Sequence, residues 1–130
     1  MTALLSLLVL DERLRPLRYR SGLLIYALIV LMGSVPGVRA EMGNVASGIV
    51  LHTLAYASIT ILLFTGLAGS KASRAWRSVA TVAVMGAFDE LVQFFLPYRR
   101  GAISDWLIDC NAAVLMAALL WVFLPAPRPT

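Results

Sequence analysis

The chain predicts an all-α integral membrane protein: a four-helix transmembrane bundle with both termini on the cytoplasmic side, the whole 130 residues forming one domain. Three observations predict it. Hydrophobic residues make up 60% and charged residues 14% of the chain, and the mean hydropathy is +0.83, too apolar for a soluble domain of this length. The apolar residues fall in long Leu/Ala/Val-rich runs. Such runs suit helices of about 20 residues rather than the alternating strands of a closed barrel. Finally, the cations lie in the segments between the runs and are more numerous on one side of the predicted arrangement, as in cytoplasmic loops.

Met1 to Leu10 is apolar but lacks a basic leading region and a small-residue cleavage site, so it reads as a short interfacial helix or a translation start set too far upstream. Arg13, Arg15, Arg18 and Arg20 then flank a first span at about 21–35, which ends in the turn-rich Gly33-Ser34-Val35-Pro36-Gly37. A polar loop over 39–47 carries Glu41, Gly43 and Asn44. The second span covers about 48–67 and the third about 78–96, with Lys71, Arg74 and Arg77 in the loop between them. The fourth covers about 103–124 and stops at a Pro-rich tail that cannot continue a helix. With the N-terminus inside, eight cations face the cytoplasm (Arg13, Arg15, Arg18, Arg20, Lys71, Arg74, Arg77, Arg128) and three face outward (Arg39, Arg99, Arg100), which favours N-in, C-in.

The net charge of +4 does not point to nucleic acid, because the ten arginines and one lysine are scattered among loops, with no basic stripe interleaved with aromatics. Cys110 is the only cysteine, which excludes an intramolecular disulfide and a thiolate metal cluster. Trp76, Trp106 and Trp121 lie near span ends, where tryptophan anchors at the membrane interface.

The polar residues inside these spans carry the functional signal. Asp89, Glu90, Asp105 and Asp109 interrupt apolar sequence, where each ionisable group costs about 2.5–3.5 kcal/mol on insertion scales. Asp89 and Gln93 are four apart, Glu90 and Gln93 three apart, and Asp105 and Asp109 four apart, so each set shares a helix face. His52 and Tyr56 form a similar pair in the second span. Between the acidic sets, Pro97-Tyr98-Arg99-Arg100-Gly101 provides a helix breaker and two guanidinium groups. In the predicted topology these residues converge in the outer half of the membrane, with Asp89 about 12 Å, Asp109 roughly 9 Å and His52 about 6 Å below the outer helix ends.

The structural alternatives differ by residue. Asp89, Glu90 and Gln93 read as a ligand-binding site or as a hydrogen-bonded network with Arg99 that fixes helix packing. Asp105 also suits a first-turn anion, and Ser104 a helix cap. Arg99 has the geometry to recognise a phosphate or carboxylate, whereas Arg100 reads as an interfacial snorkelling residue. His52 reads as a partner for a carboxylate across helices, Tyr56 equally as packing, and Asn111 as a residue facing another helix. One histidine with scattered carboxylates is a weak metal signature, so neither a metal nor another cofactor is expected.

The ordered set Asp89-Glu90-Leu91-Val92-Gln93, Arg99, Ser104-Asp105 and Asp109, preceded by His52-x-x-x-Tyr56, resembles the VanZ-like family over about residues 48–118. The resemblance implies a small multi-pass bacterial membrane protein. Some members of that family are associated with resistance to the glycopeptide teicoplanin, and no settled catalytic mechanism comes with it. The chain departs from the family pattern at Gly48 and Ile49, where an Asp-Lys pair is often found. It has Ala112 or Ala113 in place of a usual glycine, and Tyr98 in a turn that is commonly Pro-Gly-Arg.

Together these features lead to a cell-envelope protein of the bacterial plasma membrane whose outward acidic and arginine site binds an amphipathic molecule such as a lipid-linked precursor or lipoglycopeptide. The ligand-binding residues are Asp89, Glu90, Gln93, Arg99, Asp105, Asp109, His52 and Tyr56. One alternative is a membrane-embedded acid/base or metal-assisted enzyme acting on a lipid head group; catalytic residues are not assigned, since Ser104 and Cys110 lack an evident activating base. Another is proton-coupled transport, which would need a homo-oligomer.

Overall fold

A computed structural model describes residues 9–43 and 45–125 of the chain, leaving out the side chain of Arg39. The expected interfacial helix over 1–10 lies almost wholly outside this range, as do Asn44, Arg128 and most of the Pro-rich tail. Among the described residues the secondary structure is helical, with no strand. After a 3-10 turn at Glu12–Leu14 come α1 (Arg15–Gly33), a short α2 (Val38–Gly43), α3 (Gly48–Gly66), α4 (Lys71–Phe95) and α5 (Ile103–Phe123).

Three of these, α3, α4 and α5, are long and apolar enough to cross a membrane. Helix α1 has 19 residues, but its first turns carry Arg15, Arg18 and Arg20, and the apolar part is confined to the remainder. It begins six residues before the expected span because Pro16, whose fixed φ suits a first helical turn, starts the helix within the arginine-rich segment. Helix α4 begins seven residues earlier than expected. Gly69 adopts φ +111, a conformation open to glycine, and Ser70 Oγ then accepts from Ser73 N to cap the new helix. The expected loop over 39–47 contains α2, so the connection between α1 and α3 is itself partly helical.

Successive long helices run antiparallel. Helix α3 packs against α1, α4 and α5, α4 packs along α5, and α1 touches α4 only lightly. The main core joins Tyr56, Ile59 and Leu63 of α3 to Val82 and Met85 of α4 and Ala112 and Ala113 of α5. The two alanines, one of which stands where a glycine is usual in the resembled family, are 5% and 0% exposed, so the small side chains keep the helices close. Helices α1 and α3 approach closely, with Gly66 against the Tyr19 backbone and Gly22 against Leu62.

The carboxyl end of α3 receives two buried arginines. Arg18 Nε and Nη2 both donate to Thr65 O, at 3.1 and 2.9 Å. Arg74 Nε donates to Phe64 O at 2.7 Å, and its guanidinium lies 4.6 Å from the centroid of the Phe64 ring. Cations satisfying the last carbonyls also meet the negative end of the helix dipole. These two arginines, legible in the sequence as topology signals, are therefore structural clamps as well. At the opposite end of the helices, Tyr98 Oη donates to Ser34 O and Arg99 Nη1 donates to Gly33 O.

Candidate functional site

The site residues come from three helices that meet below the 96–101 turn. Helix α3 brings His52 and Tyr56 on one face, α4 brings Asp89, Glu90 and Gln93, and α5 brings Asp105 and Asp109. The spacing of three or four residues within each set places its members side by side. They form two adjoining groups that share the His52–Tyr56 face.

In the first group, Tyr56 is 1% exposed and its hydroxyl donates to Asp89 Oδ2 at 3.1 Å. Gln93 is buried beside them, and its Oε1 accepts from Arg99 Nη2. These residues, with His52, end a groove of about 460 Å3 whose remaining lining is apolar. Its walls are Ile25, Leu28, Ile29 and Met32 of α1, Val38 and Met42 of α2, and Leu51 and Ala55 of α3. Gly48, standing where the resembled family often has an aspartate, also lines it and adds no charge. Helices α1 and α2 thus supply most of one wall, a contribution that isolated apolar residues in a sequence do not announce.

In the second group, His52 Nδ1 lies 2.8 Å from Asp109 Oδ1, and His52 Nε2 is 3.8 Å from Asp105 Oδ2. Asp109 is fully buried and Glu90 is 9% exposed. Glu90 Oε2 accepts from the backbone N–H of Ala102 at 2.6 Å, which caps α5 from a neighbouring helix. The first turn of α5 is thus capped by Glu90, and Ser104 instead lies 3.5 Å from the Asp105 carboxylate. Two carboxylate oxygens, Glu90 Oε1 and Asp109 Oδ2, are buried without a hydrogen-bond partner. His52, Glu90 and Asp109 each offer a ligand-type atom within 4.8 Å of the others, so residues scattered in sequence form a compact donor set.

Several positions outside the expected site support it. Gly86 lets α5 approach, since a Cβ there would lie 3.0 Å from Asp109 Oδ2. Gly101 does the same for the turn, where a Cβ would meet Glu90 O at 2.5 Å. Tyr26 Oη donates to Met85 O at 2.9 Å and ties α1 to α4. Trp106 Nε1 donates to Ala83 O at 2.9 Å and packs by Gly86, so this tryptophan braces α4 and α5, unlike the more exposed Trp76 and Trp121. Asn111 donates back to Leu107 O on its own helix. Among the described residues, no hydrogen bond joins Ser104 or Cys110 to His52.

A family model described as VanZ/LLP1 matches residues 12–124, which include every residue of both groups. The chain belongs to the VanZ/LLP1 family. No curated protein matches the chain, and no solved structure does so. In this VanZ/LLP1 chain the family-like motif residues of α3, α4 and α5 are held together in space, while Gly48 lines the groove and Tyr98 bonds Ser34, the C-cap residue of α1.

Replacing Tyr56 by phenylalanine removes the donor to Asp89 while keeping the ring in the core. The expected loss is about 1–2 kcal/mol, moderated by the modest worth of polar contacts in membranes. Equilibrium unfolding in mixed detergent micelles measures it; an unchanged midpoint would mean that Asp89 gains another partner.

Proposed function

We propose that this chain is a multi-pass protein of the bacterial plasma membrane that binds an amphipathic envelope molecule, with apolar chains along the α1–α3 groove and an anionic group at Arg99. The observation that carries the reading is the groove itself: an apolar trough that ends at Tyr56, Asp89, Gln93 and Arg99. Binding pockets pair an apolar lining with a few oriented polar groups, and a guanidinium suits a phosphate or carboxylate. In this reading the four long helices form a transmembrane bundle, N-in and C-in. Support comes from the gathering of Arg18, Lys71 and Arg74 at the end opposite Tyr98 and Arg99.

Membership of the VanZ/LLP1 family favours an envelope molecule as the occupant. A lipid-linked precursor or a lipoglycopeptide has the required combination of chain and anionic group. Lowered susceptibility to a glycopeptide such as teicoplanin would follow from a change in the drug's access to membrane-bound precursor.

The test is native mass spectrometry of the full chain released gently from its own membrane. An anionic amphiphile should co-purify with the unaltered protein and fall at least about tenfold in Arg99→Ala, the consequence of losing roughly 1.4 kcal/mol or more. Ala55→Phe, which adds bulk to the trough's lining, should also displace it. Equal occupancy in all three folded proteins, or no amphiphile in any, rejects the proposal.

A further inference from the structure

We propose that His52, Glu90 and Asp109 form a binding site for a divalent first-row transition-metal ion, with Zn2+ as the best-matched probe. The three residues come from α3, α4 and α5, and each presents a ligand-type atom within 4.8 Å of the other two. Around Zn2+ at bond lengths of about 2.0–2.1 Å, tetrahedral ligand atoms stand about 3.3 Å apart, so closing on the ion draws the ligand atoms together by up to about 1.5 Å. One imidazole and two carboxylates are a donor set that suits such ions.

A second observation points to a cation rather than to acidic residues that merely cluster. Glu90 and Asp109 are at least nine-tenths buried, and each keeps one oxygen without a hydrogen-bond partner. Their other oxygens are already held, Glu90 Oε2 by Ala102 N and Asp109 Oδ1 at 2.8 Å from His52 Nδ1. Burying an unsatisfied carboxylate oxygen is costly. A dication held by these residues would give the buried carboxylates a partner and balance their two charges beside a neutral imidazole. Asp105, whose Oδ2 is 3.8 Å from His52 Nε2, is placed to orient the ring or add a further oxygen.

This site adjoins the groove through His52 but does not depend on what the groove binds. Glu90 and Asp109 do not line that trough. The test therefore uses Zn2+ alone on the full chain in detergent, after chelator treatment and removal of the chelator. Calorimetric titration against a competing chelator should give one tight equivalent. In His52→Gln and Asp109→Asn the affinity should fall by about 100-fold or more, since even loss of outer-shell partners costs up to that much. Glu41→Gln, an exposed acid on α2, should bind as the unaltered chain does.

Helical circular dichroism and gel filtration establish that the variants are folded. Should they not fold, X-ray absorption on the Zn2+-loaded unaltered chain decides the matter: one imidazole with oxygen donors supports the site, and the absence of an imidazole ligand overturns it. Substoichiometric uptake by the unaltered chain, or equal affinity in folded His52→Gln, also overturns it.

Discussion

Arg74→Ala is expected to destabilise the protein by about 2–4 kcal/mol, which combines loss of a charged hydrogen bond with loss of the cation–π contact. The side chain is 7% exposed, so its removal leaves Phe64 O without its donor in a place with little access to water. Arg74→Lys should retain part of the stability, because an ammonium keeps the charge but lacks the planar fork that spans the carbonyl and the ring. Unfolding in mixed micelles, with helicity as the signal, measures both variants. A loss below about 0.5 kcal/mol for Arg74→Ala, the range of ordinary surface changes, would mean that the α3 terminus is satisfied without the arginine.

Gly66→Ala is expected to cost about 1–3 kcal/mol through overpacking. The new methyl would lie 2.6 Å from Tyr19 N and 3.0 Å from Tyr19 Cα, atoms of backbone that no rotamer change can move aside. Helix α1 must shift away, and that movement also pulls Arg18 from Thr65 O. Gly66→Ala and Arg18→Ala should therefore combine less than additively, since both disturb the same seam. Gly43→Ala is the control, because a Cβ there meets nothing within 4 Å. Equal midpoints for the two glycine variants would reject close α1–α3 approach as a source of stability.

The helical class was legible because apolar composition and run length constrain a chain strongly, and the ends of α3 and α5 fall within one residue of their expected bounds. The starts of α1 and α4 were not. Arginine-rich flanks read as loops, but Pro16 and Ser70 begin helices inside them. The helical spacing of His52 with Tyr56, and of Asp105 with Asp109, gave the shared faces, because that periodicity belongs to a single helix. Which acid met which partner did not follow, since it depends on the rotation of one helix against another. Glu90 capping α5 through Ala102 joins residues 12 apart, and His52 meeting Asp109 joins residues 57 apart. Gly86 and Gly101 were similarly silent: a glycine shows its purpose only when the neighbour it admits is known.

If the groove binds an anionic amphiphile as proposed, the bond from Arg99 to Gly33 sets up a competition for the guanidinium. The guanidinium at its polar end also holds one of the last carbonyls of α1, the helix that forms much of its wall. An anion that draws Arg99 away from Gly33 takes a fastening from that wall, leaving Tyr98 on Ser34 as the neighbouring tie. An occupant that accepts from Arg99 while leaving Nη1 in place keeps the wall fastened. Under the proposed binding reading, head-group shape would govern more than affinity at one end of the trough: it would select between a trough held at fixed width and one free to widen for bulkier chains.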